Sequence, residues 1–579
     1  MFYFLAVIEY YKTYMTIRET LKNSIKTALL TLHTEGSKIS LEHPEDLSHG
    51  DYSSNIAMVL AKQTSQKPRE LAEKIVKEIL KKKPKEVSKI EVAGPGFINF
   101  FLVPDFFTSH IKDILKEGEK FGNNKNFNKQ KITVEYTDPN LFKEFHIGHL
   151  MDNAIGESIA RIVELNGAKV KRVCYQGDVG LHVAKTVWAI KKSEEFKKTM
   201  SAYELGQFYA KGAKAYETTD NIKKEIVEVN KKIYDKSDKE INKIYDAGRK
   251  ASLEYFERIY KMLGTKFDEY FFESQTGPFG KEIVEKNTGR IFEKSDGAII
   301  FKGENYGLHT RVFINSEGLP TYEAKELGLS KIKYDRTKYD KSIIIAGNDI
   351  NEYFKVLLKT MSLIFPDLAS KTTHISHGML RLPSGKMSSR TGDVITAMSL
   401  LNDIESKVLE KMTEGEIPEK EKKGIAEKIA VGALKYSILK QVTGKDIIFD
   451  FDKSLSFEGD SGPYLQYSYA RARSILRKAK EEGVKAKILN LNPSEITELE
   501  KIIYRFPEVV ERAGHEYSPH YIASYLIELS SSFNNFYAKG KIVDKKDKNS
   551  PFKVALTEAF SIVMKNGLNL LGIQALERM

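Results

Sequence analysis

The stretch from Lys131 to Gln176 restricts the fold more than any other part of this chain. "KITVEYT" (131–137) reads as a strand. After the loop "DPNLFKEF", apolar residues at Ile147, Leu150, Ala154, Ile155, Ile159 and Ile162 recur at helical spacing, and Gly167 follows as a stop. "AKVKRVCYQ" (168–176) then reads as a second strand. Strand, helix and strand in this order form a βαβ unit, so a parallel sheet is expected. The loop leaving the first strand then lies at the carboxyl edge of the sheet, where such folds bind ligands. That loop ends in two histidines around a glycine: His146, Gly148 and His149.

At 579 residues the chain is too long for one core, and three or four domains are expected, of which three can be placed. Residues 1–125 predict a small α+β domain. It has helices near "IRETLKNSIKTALLTL" and "RELAEKIVKEILKK" and a closing strand-like "VSKIEVAGPGFINFFL". The polar, Gly/Asn-rich "KEGEKFGNNKNFNKQ" (116–130) reads as a linker. Residues 126–400 predict a Rossmann-like parallel-sheet domain, with a Lys/Glu-rich helical insertion at about 192–262 and "KSIIIAGND" as another buried strand. Residues 401–579 are helical in pattern, without strand alternation, and predict an all-α bundle.

The first fifteen residues lack a basic n-region, and Glu9 interrupts their apolar run, so they read as an extension ahead of a helix starting near Thr16. No window reaches the roughly 18 apolar residues of a membrane span. The single cysteine, Cys174, rules out a disulfide framework and a cysteine-based zinc site, and fits a reducing cytoplasm. A net charge of +12 permits a polyanionic partner. No oligomerisation segment is evident, so a monomer is expected.

The histidines are not a metal pair on this reading. No adjacent glutamate or third ligand accompanies them, and no Cys/His cluster lies near in sequence. Gly148 lets a ligand approach the backbone, and a helix N-terminus favours an anion, so imidazole N–H groups there suit phosphate oxygens. A second phosphate-binding element is needed, and "GKMSSRTGD" (385–393), with Lys386 and Arg390 in a Gly/Ser/Thr-rich loop, provides it.

"HIGH" (146–149) and "KMSSR" (386–390) resemble the two signatures of the class I aminoacyl-tRNA synthetases. Within that class the chain resembles the arginyl-tRNA synthetases nearly end to end. The likeness is carried by "VEYTDPNLFKEFHIGHL", "GDVGLH", "LPTYEAKELGL", "FEGDSGPYLQYSYARARSIL" and "LLGIQALERM". The resemblance implies ATP-dependent activation of L-arginine, with Mg2+ accompanying ATP, and transfer to the 3′-terminal adenosine of tRNA(Arg). It implies His146, His149, Lys143, Lys386 and Arg390 as the charge-neutralising set, and Gly148, Met379 and Ser388 as further ATP contacts. The implied arginine pocket is Glu135, Asn140, Glu273, Tyr322, Glu326 and Asn348, with Glu273 and Glu326 facing the guanidinium. Implied tRNA contacts are Phe97 and Asn99 in "GPGFINFF", then Tyr464, Tyr467, Phe533 and Met579. The chain departs from the family at Val179 (usually tryptophan), Glu326 (usually aspartate) and Asn348 (usually glutamine). Which of Lys143 and Lys386 meets the pyrophosphate stays open. The competing readings are another class I synthetase, a nucleotidyltransferase using the same chemistry, or an inactive tRNA-binding paralogue.

Overall fold

The computed structural model describes residues 16–34, 38–193, 199–381, 396–412, 417–489 and 496–579. The N-terminal extension and the 385–393 loop, with Lys386, Ser388 and Arg390, lie outside the described residues. Contacts divide the chain into two compact units. One contains the chain up to Gly118 with Ile475–Arg505 and Ser532–Ile562; the other contains Glu119–Ser474, Phe506–Ser531 and Val563–Met579. The helical region after residue 400 thus contributes to both cores, which helical periodicity alone does not reveal.

In the first unit, helix Ile17–Thr31 starts where expected. The Thr16 hydroxyl accepts the Glu19 N–H at 3.2 Å, and the Glu19 carboxylate accepts the Thr16 N–H at 3.1 Å. Strands Tyr52–Ser54, Phe97–Leu102 and Val87–Ala93 form an antiparallel sheet with Phe97–Leu102 in the middle. Leu21, Ile25, Leu71, Ile75 and Phe100 pack its core. This is the α+β unit expected from the sequence.

The second unit is built on five parallel strands: β1 (Lys131–Glu135), β2 (Lys169–Gln176), β3 (Glu269–Phe272), β4 (Lys341–Gly347) and β5 (Thr372–His377). Their order is β5-β4-β1-β2-β3. The chain winds outward from β1 in both directions, so a crevice opens beyond the carboxyl ends of β1 and β4. Helix α1 (Ile147–Leu165) crosses from β1 to β2, and helices Ala202–Tyr216, Asp220–Asp235 and Lys239–Leu263 form the insertion.

Helices α2 (Glu273–Lys286) and α3 (Tyr322–Thr337) meet at glycines. A Cβ on Gly280 would lie 1.8 Å from the Ala324 carbonyl oxygen, and one on Gly328 would lie 2.3 Å from that of Thr276. No side chain fits there, so the two backbones touch. Gly280→Ala is expected to push the helices apart and cost at least about 1–3 kcal/mol in denaturant unfolding. An unchanged unfolding midpoint would contradict that close approach.

Two segments differ from the sequence expectation. The polar linker is anchored rather than free: Phe121 and Phe127 are buried, with rings 6.2 Å from Phe506 and 5.8 Å from His515. Their burial is decided by residues almost 400 positions away, beyond any local pattern. The helical region also contains a short strand, Ile447–Ile448, which pairs in parallel with Leu380–Arg381. Among the described residues no helix is long and apolar enough to cross a membrane.

Candidate active site

A cleft of about 1780 Å3 opens outside the carboxyl ends of β1 and β4, lined by Asn140, His146, Glu273, Glu326 and Met379 among others. The loop entering it is bent. Thr137, Asp138 and Phe142 have φ of 83°, 37° and 63°, a left-handed region unfavourable for side chains and most so for β-branched threonine. Three contacts hold it. The Asn153 amide donates to Thr137 Oγ1 at 3.1 Å, the Tyr175 N–H to Asp138 Oδ1 at 2.6 Å, and the Phe142 N–H to Ser252 Oγ at 3.0 Å. The bend delivers Asn140 to the cleft. A Cβ on Gly177 would come within 2.2 Å of Asn140 Oδ1, so the glycine of "GDVG" makes room for that amide.

The same bend places His146 as the N-cap of α1. Its Nδ1 accepts the Gly148 N–H at 3.1 Å and the His149 N–H at 3.4 Å, while the His146 N–H donates to His149 Nδ1 at 3.4 Å. The rings stack with centroids 3.5 Å apart. Gly148 is required by this arrangement, since a Cβ there would meet the His146 ring at 2.9 Å. Because each Nδ1 accepts, each neutral ring carries its proton on Nε2. Burial, and then the Lys143 charge, push His146 down to about 4. Burial, then the His146 and Lys143 charges, push His149 well below the usual histidine value. Both imidazoles are therefore neutral donors at pH 7. Lys143 sits at the cleft with its ammonium 4.4 Å from the centre of the Tyr209 ring.

Two ion pairs and one lone carboxylate form the other end of the cleft. Glu135, ending β1, receives Lys333 Nζ at 2.6 Å, and Glu273, opening α2, receives Lys325 Nζ at 2.7 Å; all four side chains are buried. The Glu326 carboxylate accepts no hydrogen bond among the described residues. Burial, then the Glu135 charge, partly offset by Lys333, push its carboxyl up to about 8. Tyr322 stands half exposed at the mouth. Asn348 is exposed on the turn after β4, beside the wall-forming Gly347 and Asp349.

On the wall formed after β5, the Met379 side chain is exposed and Asp152 of α1 is bonded to His377 Nε2. Sequence reasoning missed Asp152, His377, Lys325 and Lys333. The two lysines had a faint signal: Lys325 adjoins Glu326, and Lys333 follows it two turns later on the same helix. Among the described residues no cluster of three or more His, Cys, Asp or Glu could hold a metal ion.

The surface residues separate into two groups. Phe97 is 40% exposed, and Tyr464 and Tyr467 are partly exposed one turn apart, with the Arg471 guanidinium 4.7 Å from the Tyr467 ring centre. Met579 is partly exposed. Phe533 and Asn99 need correction as nucleic-acid contacts. Phe533 is fully buried, stacked 3.9 Å from Phe560, and Asn99 is buried with its carbonyl bonded to Ser53 at 2.7 Å. Strand and helix patterns do not say which face of an element is covered from elsewhere.

A parallel sheet whose first crossover helix is capped by the histidines of "HIGH", at a cleft beyond the strand ends, defines the catalytic fold of a class I aminoacyl-tRNA synthetase. The family model described as tRNA synthetases class I (R), catalytic domain, matches residues 110–451. The arginyl tRNA synthetase N terminal domain matches 15–102, and the DALR anticodon binding domain matches 465–579. The arginine–tRNA ligase of Clostridium perfringens is 31% identical over 95% of this chain and 97% of its own length. That of Clostridium botulinum is 32% identical over 93% and 96%. In fold, the chain matches the solved arginyl-tRNA synthetase of Thermus thermophilus with a TM-score of 0.79 at 23% identity, over 97% of this chain and 100% of that one. It also matches that of Plasmodium falciparum with a TM-score of 0.77 at 20% identity, over 97% and 99%. The chain belongs to the arginyl-tRNA synthetase family.

Proposed function

We infer that this chain is an arginine–tRNA ligase that activates L-arginine with ATP and transfers it to the 3′-terminal adenosine of tRNA(Arg). The observation that carries the reading is Glu326, an unpartnered carboxylate beside two neutralised pairs, in one cleft with the histidine-capped helix. A guanidinium is always charged and its planar fork suits a carboxylate, so Glu326 is its partner. Asn140 holds the amino-acid end, and Tyr322 closes the mouth. ATP enters with Mg2+ as its counter-ion. His146 and His149 donate neutral N–H groups to its phosphates, and Met379 packs against the base. Lys143, with Lys386 and Arg390 of the second signature, neutralises the leaving pyrophosphate, and Ser388 is a further ATP contact.

An oxygen of the arginine carboxylate attacks the α-phosphorus, and the bond to pyrophosphate breaks. The terminal ribose hydroxyl of the tRNA then attacks the adenylate carbonyl, and AMP leaves. Alignment and charge neutralisation suffice for both steps, so no nucleophilic side chain is needed. Tyr464 and Tyr467 stack on anticodon bases, with Met579 and Phe97 as further tRNA contacts. The enzyme works as a cytoplasmic monomer. Charging total tRNA with each labelled amino acid tests the assignment: arginine alone should be transferred, and transfer of any other in its place would refute it.

Protonation gives a second check. Burial and the Glu135 charge push the free Glu326 carboxyl up to about 8, and it must be ionised opposite a cation. Arginine binding at pH 7 is therefore expected to release about one proton, and affinity should rise as pH approaches 8 from below. Calorimetry in buffers of different ionisation enthalpy reads that proton directly; zero release would contradict the role of Glu326. For the RNA surface, Tyr467→Ala should weaken tRNA binding by about 1–3 kcal/mol while leaving the KM values for ATP and arginine near their original levels. Lost stability with tRNA affinity intact would make Tyr467 a packing residue.

A further inference from the structure

We propose that Lys325 sets the charge this pocket accepts, by holding Glu273 as an internal ion pair and leaving one net negative charge, on Glu326, for a monocationic side chain. The proposal rests on the arginine reading of the cleft and goes beyond it. By resemblance alone, Glu273 and Glu326 would face the guanidinium as equals. In this chain they differ. Glu273 is buried and bonded to Lys325 Nζ at 2.7 Å, with the lysine side chain 6% exposed and its ammonium 5.2 Å from the Tyr322 ring centre. Glu135 is likewise occupied by Lys333 at 2.6 Å. Glu135, Glu273 and Glu326 face two ammonium groups, which leaves Glu326 the unpaired one of the three; Asp138 lines the same cleft, its carboxyl pushed well up by burial and by the Glu135 charge.

The internal pair is well made. Burial disfavours the Lys325 ammonium, but Glu273 outweighs that and holds its pKa above the usual lysine value, so it stays charged at any working pH. Without Lys325, Glu273 and Glu326 would both be bare in a low-dielectric cleft. Two such carboxylates share a proton rather than both ionising, and the partner for the guanidinium becomes ambiguous. With Lys325 in place, a neutral isostere such as citrulline meets Glu326 in its protonated form, gains no ion pair, and is selected against.

The test reads charge selection rather than activity alone. ATP–pyrophosphate exchange is measured on the full chain with tRNA present, and kcat/KM for arginine is divided by that for citrulline. Glu326→Gln removes the one free charge, and the ratio should fall by about 100-fold. Adding Lys325→Met to Glu326→Gln restores one net negative charge, now on Glu273, and should recover at least about ten-fold of that loss, with the KM for ATP little changed. Lys325→Gln with Glu326→Gln makes the same change with a side chain that keeps Glu273 hydrogen-bonded, and serves if the methionine variant does not fold. A double variant no more selective than Glu326→Gln would overturn the role of Lys325 while leaving the arginine pocket standing. Undiminished selectivity in Glu326→Gln itself would overturn both.

Discussion

His146→Ala is expected to slow arginine-dependent ATP–pyrophosphate exchange by about 10²–10³-fold, the loss of one preorganised donor to a developing phosphate charge. The ring is suited to this because its orientation is settled before substrate arrives. Nδ1 is committed to the Gly148 and His149 amides, and the Nε2 proton is left for the ligand. Burial keeps the ring neutral down to about pH 4, so the rate should show no titration of this residue between pH 6 and 8. His146→Ser separates its two duties. Serine caps a helix well and should recover most of the roughly 1 kcal/mol that alanine loses in stability, but its short hydroxyl cannot reach where the ring reached. Exchange rates in His146→Ala within a few-fold of the original enzyme would refute phosphate binding. A helix restored by serine together with full activity would make His146 a cap and nothing more.

Glu326→Gln should raise the KM for arginine by roughly 30-fold or more, corresponding to about 2–5 kcal/mol for truncating one side of a buried charge pair. ATP binds elsewhere in the cleft, and its KM should stay within about three-fold. The proton released on arginine binding should be largely lost in this variant, because the carboxyl that burial and the Glu135 charge push up to about 8 is gone. Lysine should be discriminated against by about 10⁴ in the original enzyme, since a single ammonium cannot make the two parallel bonds that a carboxylate offers a guanidinium. An unchanged KM for arginine in Glu326→Gln would remove the physical basis for arginine as the substrate.

Much of this was legible in the chain itself, for reasons of locality. The βαβ unit rests on a hydrophobic period that shifts within 46 residues, and the capped start of α1 rests on four consecutive ones, His146 to His149. The first helix announced itself through Thr16 and Glu19, three apart. What the sequence left unread depends on partners far along the chain. Lys333 reaches Glu135 across 198 positions and Lys325 reaches Glu273 across 52, so no spacing rule could show that two of the three pocket carboxylates were already neutralised. Phe533 and Asn99 looked available because a strand or helix pattern shows which face is apolar, not which polar or aromatic group another element covers.

The sequence by itself therefore determined the parallel-sheet core, the family and the residue types gathered at the cleft. Those follow from local periodicity, capping and short motifs, whose physics acts over a few residues. Only the tertiary structure decided which carboxylate is free, that both histidines are neutral donors, and that the linker and Phe533 are buried. Charge state and exposure depend on everything that surrounds a group in space, and packing brings those surroundings from distant parts of the chain.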